Sequence, residues 1–353
     1  MKIPADLAPG RVLVLRPRGL GDIVISSAVL DALTRAFPGA AIDYVAEAPA
    51  RGLLETDARL AGIFLLGPSL PRAGGDARVS GGGTSTAIRW IRARRPDVVL
   101  DLFSNPHTAL LTGLSTARWR VGLDRGARRL AYNVRVPRFR GAPETDARWA
   151  GEAQLDVLRD AGIRWAGEAR SGVALTGEDR RFAADALRSL GYAEGAHVGG
   201  VLPAGTWATK RWTTSGYVAA ARELARGTGV PALVLWGPPE RDEAQAIASA
   251  LGDAARLSPP TTIRQMAALL GRLALLVAPD CLGRHIAIVE GVPTLGVFGS
   301  TDPHGWTPPS GPHRAVRADE AQGGLRRLPP EPVLAELAVL LRSGVLDTPS
   351  PRP

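Results

Sequence analysis

Arg11-Val12-Leu13-Val14-Leu15-Arg16 runs straight into Pro17-Arg18-Gly19-Leu20-Gly21-Asp22. The first six residues are an apolar run between arginines, the pattern of a strand buried on both faces. Two glycines then permit a tight turn, and residues 22–37 carry helical spacing. Strand, glycine turn and helix in that order open a βαβ unit, so the chain begins as a parallel α/β sheet. The pattern continues downstream. Residues 41–45, 62–66 and 97–102 are further short apolar strands, with a helix over 87–94. A second series starts near Thr176, with strands at 197–202, 231–236, 273–278 and 293–298. Helices at 179–190, 215–226, 241–251 and 262–271 separate them, and a last one covers 330–341. Two doubly wound, Rossmann-like α/β domains follow, 1–170 and 171–345, facing a central cleft, with the linker near 167–177. The stretch 68–86, with Gly81, Gly82 and Gly83 in a row, reads as a mobile surface loop, and 346–353 as a disordered tail.

A length of 353 residues suits two domains, and 45% hydrophobic residues are enough for a core in each. No apolar run approaches the roughly 18 residues of a membrane-spanning helix. The first ten residues hold two prolines and no apolar stretch, so no secretory signal is expected there. A single cysteine, Cys281, excludes an internal disulfide framework and a Cys-rich zinc site. These features lead us to expect a cytoplasmic protein. The net charge of +9 favours phosphorylated substrates or anionic lipid. Nucleic acid is not expected as a partner, because the arginines are scattered among acids without interleaved aromatics. Only Lys2 and Lys210 are lysines among 43 basic residues, so a lysine inside a motif is notable.

Four segments carry candidate chemistry. Asp22 follows the first glycine turn; it is either an acid favoured by a helix N-terminus or a catalytic carboxylate. A dinucleotide fingerprint needs a third glycine where Val24 stands, which disfavours a dehydrogenase. The loop Pro203-Ala204-Gly205-Thr206-Trp207-Ala208-Thr209-Lys210-Arg211-Trp212 is rich in small residues and ends in two cations before a helix. It suits a pyrophosphate, or Lys210 is a plain surface residue. Asp280-Cys281-Leu282-Gly283-Arg284-His285 lies between a strand and a helix. There Asp280 is a candidate cap for the helix, and His285 either faces a ligand or is structural. Phe298-Gly299-Ser300-Thr301-Asp302-Pro303 offers a phosphate or ribose contact, or an ordinary Asp-Pro turn.

Taken together, these segments resemble the ADP-heptose:lipopolysaccharide heptosyltransferases, glycosyltransferase family 9. The matching residues are Leu20-Gly21-Asp22, then Leu202 to Thr206 with Lys210-Arg211-Trp212, and the Asp280 to His285 helix start. Gly291-Val292-Pro293-Thr294 leading to Phe298 to Pro303 completes them, and Asp101-Leu102, Ala109-Leu110-Leu111, Gly122 and Tyr132-Asn133 look like the family's middle. The resemblance spans about residues 11–310. It implies a GT-B fold, with the acceptor on the first domain and a nucleotide-sugar donor, ADP-heptose, on the second. Transfer would invert the anomeric carbon with no metal and no cofactor, in keeping with the lack of an Asp-x-Asp motif. Asp22 would be the general base, and Lys210 would stabilise the leaving diphosphate. Thr206, Arg211, Glu240, Asp280, Gly283, His285 and Thr301 would complete the donor site, and Arg16, Arg18, Gly21 and Asn105 the acceptor site. The acceptor would be a lipid-linked glycan of the lipopolysaccharide core, met at the cytoplasmic face of the inner membrane through basic residues near Arg16, Arg18 and 68–86.

Three departures bear on the donor. Cys281-Leu282 stands where the family has a hydroxyl residue and glycine, with the glycine displaced to Gly283. Leu202 replaces the usual His, and Ala204-Gly205 reverses the usual Gly-Ala. Two other functions fit the same frame: a nucleotide-sugar-binding protein without turnover, and a GT-B sugar-nucleotide 2-epimerase acting without an acceptor.

Overall fold

The computed structural model describes residues 1–67, 78–137, 149–205 and 208–346. Thr206, the C-terminal seven residues and most of the glycine-rich stretch after Gly67 lie outside these. The chain divides into two compact units, Met1–Ala174 and Leu175–Pro353.

The first unit is built on β1 (Arg11–Leu15), β2 (Ala41–Glu47), β3 (Leu60–Leu66), β4 (Val79–Gly82), β5 (Val98–Asp101), β6 (Trp119–Leu123) and β7 (Val134–Val136). They form one parallel sheet in the order β4-β3-β2-β1-β5-β6-β7. Helices α1 (Leu20–Ile25), α2 (Ser27–Ala36), α3 (Arg51–Leu54), α4 (Thr84–Arg94), α5 (Pro106–Gly113) and α6 (Ala150–Ala161) join and cover the strands. Leu13, Leu15, Val45, Phe64 and Val99 are essentially inaccessible and pack with Ala87, Ile91 and Leu111 of the helices. Such two-sided burial is why these strands read as continuous apolar runs rather than alternating ones.

The second unit holds β8 (Gly199–Val201), β9 (Ala232–Val234), β10 (Ala255–Leu257), β11 (Leu275–Pro279), β12 (Thr294–Phe298) and β13 (His313–Arg317). They too are all parallel, ordered β10-β9-β8-β11-β12-β13. Around them run α7 (Gly177–Ser189), α8 (Thr214–Thr228), α9 (Arg241–Leu251), α10 (Ile263–Leu270), α11 (Leu282–Val289) and α12 (Pro330–Arg342).

Strand order reverses between β1 and β5 in the first sheet, and between β8 and β11 in the second. Crevices at such switch points, beyond the carboxyl ends of the strands, are where open α/β sheets take ligands. The Asp22 segment leaves β1, and the loops ending in Lys210 and beginning at Asp280 leave β8 and β11. Topology alone therefore brings the motifs of each unit to one edge.

Two expectations are corrected. The helix read over 22–37 starts earlier, at Leu20 after Gly19, and breaks at Ser26. Ser26 Oγ and Ser27 Oγ donate to the carbonyls of Ile23 and Val24 at 3.0 and 2.6 Å. Adjacent hydroxyls bonding back three residues compete with the helical ladder, which ends one helix and begins another. The second correction concerns 78–86, expected in a mobile loop. These residues include β4, paired with β3 from Ile63↔Val79 to Leu66↔Gly82, and the start of α4. An edge strand of Val-Ser-Gly-Gly has almost no apolar content, so its pairing left no mark in the pattern.

Candidate active site

In the first unit, Gly19 precedes α1 with φ 80°, and a Cβ there would lie 2.5 Å from Asp22 Oδ2. Only glycine suits both the left-handed backbone and the space that the carboxylate fills. Asp22 sits in the first turn of α1, where its carboxylate takes a 2.8 Å ion pair from Arg16 Nη2. Arg16 is buried, donates from Nη1 to the Leu102 carbonyl at 2.9 Å and lies 5.1 Å over the Phe103 ring. Two of the expected residues thus meet directly. Arg18 does not join them: it is exposed and pairs with Glu47 at 2.5 Å. Gly21 lies within α1, and Asn105 caps α5, its Oδ1 accepting from the Thr108 amide at 2.7 Å. The Asn105 oxygen is therefore engaged in a capping box.

Arg16 and Asp22 form part of the wall of a cavity of about 230 Å³. Ser104, Arg125, Arg128 and Gln154 supply its other polar atoms, and Leu102, Phe103, Leu123, Ala153 and Val157 are among its apolar ones. Sequence reading missed Ser104, Arg128 and Gln154. Ser104 is a hub with a left-handed backbone, φ 51°. Its amide donates to Asp101 Oδ1 at 2.6 Å, its Oγ accepts from the Leu123 amide, and its carbonyl accepts from Arg128 Nη1 at 2.8 Å. Asp101 also accepts from Tyr132 Oη at 2.7 Å. Burial pushes the Asp101 carboxyl up, against the downward pull of these donors, and pushes the Tyr132 phenol up as well. Gly122 is needed here, because a Cβ would collide with the Tyr132 ring. Gly122, Tyr132 and Asp101, no more than a spacing in the sequence, form the brace that holds Ser104, whose carbonyl takes Arg128. Gln154 Oε1 and Arg16 Nε are buried with no hydrogen-bond partner, and buried polar groups rarely stay so without a use.

In the second unit three expected residues form one chain of contacts. Lys210 Nζ lies 2.6 Å from Asp280 Oδ2, and His285 Nε2 lies 3.3 Å from Asp280 Oδ1. Burial alone would raise Asp280; hydrogen bonds from His285 and Lys210 outweigh it and hold the carboxyl far below the usual range. The pair fixes the ammonium at the switch point, and an ammonium has two further N–H groups for a phosphate. Arg211 Nε donates to the Gly205 carbonyl at 2.8 Å. Glu240, whose carboxyl burial pushes up, is drawn back by Arg211 and by the Gly205 amide. Trp212, buried, anchors the loop through Nε1 to the Leu328 carbonyl at 2.9 Å. Gly299 lets the segment after β12 approach it, since a Cβ would strike the Thr209 carbonyl. Thr301, half-buried, follows in that segment.

The departures from the family pattern meet in space. A Cβ on Gly283, in the first turn of α11, would collide with Cδ2 of Leu202. The displaced glycine and the leucine that stands for histidine thus accommodate each other. Cys281, not Asp280 as expected, is the N-cap of α11, because the Asp280 carboxylate is taken by Lys210 and His285; burial pushes the Cys281 thiol up to about 11, so the cap is neutral. Close by, Arg284 is fully buried, and burial pulls it down to about 10 against the opposing pull of the Asp280 charge. It donates to the Trp306 carbonyl at 3.1 Å and the Thr307 hydroxyl at 2.9 Å, over the Phe298 ring. The Trp306 ring lies 5.3 Å from His285. Arg284 therefore ties the segment after Thr301 to the Lys210–Asp280–His285 chain, a role no spacing argument revealed. Gly296 leaves the room for its guanidinium. Among the described residues no three His, Cys, Asp or Glu side chains converge as metal ligands, and no helix is long and apolar enough to cross a membrane.

Comparison with known proteins agrees with this architecture. The model of glycosyltransferase family 9 (heptosyltransferase) matches residues 86–327. Lipopolysaccharide heptosyltransferase 1 of Pseudomonas aeruginosa is 29% identical over 301 residues, covering 83% of this chain and 79% of that protein. A glycosyltransferase family 9 structure from Veillonella parvula superposes with a TM-score of 0.78 at 19% identity, over 95% of this chain and 98% of that one. The E. coli heptosyltransferase WaaC with ADP gives 0.69 at 20% identity, over 94% and 99%. The fold is GT-B, two Rossmann-like domains, as the sequence led us to expect. With its motifs at the two switch points and two-thirds of its length matched, the chain belongs to glycosyltransferase family 9, the heptosyltransferases.

Proposed function

We propose that this enzyme transfers a heptose from ADP-heptose to a lipid-linked saccharide of the lipopolysaccharide core, with inversion and without a metal. The observation that carries the reading is Asp22, held by Arg16 on the wall of a cavity that also presents Arg125, Arg128 and Gln154. A carboxylate beside a polar, cationic cavity suits an acceptor hydroxyl on an anionic sugar. Asp22 takes the proton of that hydroxyl as its oxygen bonds to the anomeric carbon. The bond from that carbon to the diphosphate breaks on the opposite face, which inverts the configuration. ADP leaves with the electron pair, and the growing charge is met by Lys210, held by Asp280, and by the positive end of α11. Glu240, near Gly205 and Arg211, is suited to a ribose hydroxyl; Thr206, Gly283, His285 and Thr301 would complete the donor site, and Arg18, Gly21 and Asn105 would add to the acceptor site. The E. coli relative was solved with ADP, which supports the nucleotide. The acceptor is met at the cytoplasmic face of the inner membrane.

The test is a transfer assay with ADP-heptose and a deacylated core saccharide, read by NMR of the new anomeric centre. Inverted product formed only with acceptor present is expected. A donor epimerised with no acceptor supports the epimerase, and ADP-heptose bound but never turned over supports a binding protein.

A further inference from the structure

Soluble surfaces carry scattered apolar side chains, and a single exposed leucine means little. Five large hydrophobic residues are exposed among the described ones: Met1, Leu110, Leu114, Leu130 and Val339. Three of them fall within a stretch of 21 residues. Leu110 and Leu114, 48% and 36% exposed, are four residues apart at the end of α5, so they share one helical face. Leu130, 78% exposed, belongs to a turn of 3-10 helix over Gly126–Ala131. That turn packs on α5: a Cβ on Gly113 would lie 3.6 Å from Cβ of Ala131. The three leucines thus crown two elements in contact.

The turn is braced, not loose. Arg135 Nε donates to the carbonyls of Arg129 and Tyr132 at 3.2 and 3.3 Å, and Arg128 Nη1 donates to Ser104. Leu130 is therefore held outward by a rigid frame. Charge singles out the same region. From 106 to 137 the sequence has six arginines against one carboxylate, Asp124, which is five of the chain's nine net positive charges in under a tenth of its length. Arg118, Arg125, Arg129 and Arg135 are exposed. By contrast, Arg16, expected to face the membrane, is buried against Asp22, and Arg18 is paired with Glu47.

We propose that the face made by α5 and the Gly126–Ala131 turn docks on an anionic lipid surface, leucines among the acyl chains and arginines at the headgroups. Exposed leucines and exposed arginines drawn from one short stretch of chain are what an interfacial lipid surface selects; a protein partner would need acids that nothing here specifies. The face is continuous with the cavity beside Asp22, because the turn that exposes Leu130 also turns Arg128 inward. This docking rests on the proposed lipid-linked acceptor, since it brings a membrane-held saccharide to the cavity mouth.

The experiment is vesicle co-sedimentation of the full chain with phosphatidylcholine alone and with phosphatidylglycerol mixed in. Wild type should pellet with the anionic vesicles only, and salt near 1 M, which shrinks the screening length to about 3 Å, should weaken this. Leu110→Ser/Leu114→Ser/Leu130→Ser should cut partitioning at least tenfold while leaving melting and transfer to a deacylated acceptor unchanged. Arg118→Glu/Arg129→Glu should weaken it independently. Absent binding by wild type, or equal binding by both variants, overturns the proposal. So does sedimentation equilibrium showing a dimer that the leucine variant breaks, because the face is then a contact between copies. Loss of transfer with every acceptor, with vesicle binding intact, sinks the transferase reading instead.

Discussion

The two switch points are built differently. In the second unit, Lys210 and His285 meet on the two oxygens of Asp280, at 2.6 and 3.3 Å, and all three are drawn from two motifs that leave neighbouring strands. In the first, Arg16, Asp22, Ser104, Arg125, Arg128 and Gln154 come from the loop after β1, α1, the loop after β5, the turn after β6 and α6, and two buried polar atoms, Arg16 Nε and Gln154 Oε1, lack partners. A donor whose diphosphate does not vary suits a site fixed by compact motifs. A larger acceptor suits a distributed wall with polar groups left for it.

If this contrast is right, Lys210→Ala should have the largest effect in the second unit. It removes a cation from the departing diphosphate, a loss of about 10²–10³ in turnover for a comparable donor. It also leaves the buried Asp280 with His285 alone, so donor affinity should fall as well. Lys210→Arg should recover only part, because a planar fork does not replace a point charge. Calorimetry with ADP and steady-state kinetics check both; unchanged values would make Lys210 an ordinary residue. Arg128→Ala should act on the other side, raising the acceptor KM about tenfold, for one charge-assisted bond of about 1.5 kcal/mol. ADP affinity should stay constant. If it moved with the acceptor KM, the division of labour between the units would be lost.

Arg284→Met sharpens the comparison within the second unit. The change removes two hydrogen bonds from a charged donor, each about 1.5–3 kcal/mol, and also relieves the burial of a guanidinium. We expect little change in melting but several-fold weaker ADP binding, because the segment around Trp306 loses its tie to His285. A large drop in melting with donor affinity intact would make Arg284 purely structural. The smallest effect is on pH dependence. Burial, with Arg284 nearby, pulls the His313 imidazole down to about 4 from an ordinary value near 6.5. The unfolded chain then binds the proton more readily, so stability is full above about pH 6.5 and declines as pH falls towards 4. The slope is at most about 1.4 kcal/mol per pH unit. His313→Gln should flatten that limb in urea titrations, and an unchanged limb would assign it to other groups.

The same contrast governs how far the sequence could be read. The two parallel sheets were legible because β1, β2, β3, β5, β11 and β12 are apolar on both faces. The edge strands β4 and β13 were not, since Val-Ser-Gly-Gly and His-Arg-Ala-Val-Arg lack that run. Asp22, Lys210, Asp280 and His285 stood out because each lies in a short motif. Ser104, Arg128 and Gln154 meet only through tertiary packing, and their one trace was the Gly122–Tyr132 spacing, whose meaning needs the ring above the glycine. At Asn105 nothing in the sequence announces that Thr108 will make it a helix cap.

The central claim, a base in the first unit acting apart from the donor site in the second, is tested most directly by Asp22→Asn. The amide keeps the shape of the side chain but cannot take a proton, so general-base catalysis of about 10²–10⁴-fold should be lost. The account predicts transfer slowed by that order, with ADP affinity by calorimetry and the melting temperature close to wild type. Transfer within a few-fold of wild type, or loss of donor binding together with turnover, would contradict it.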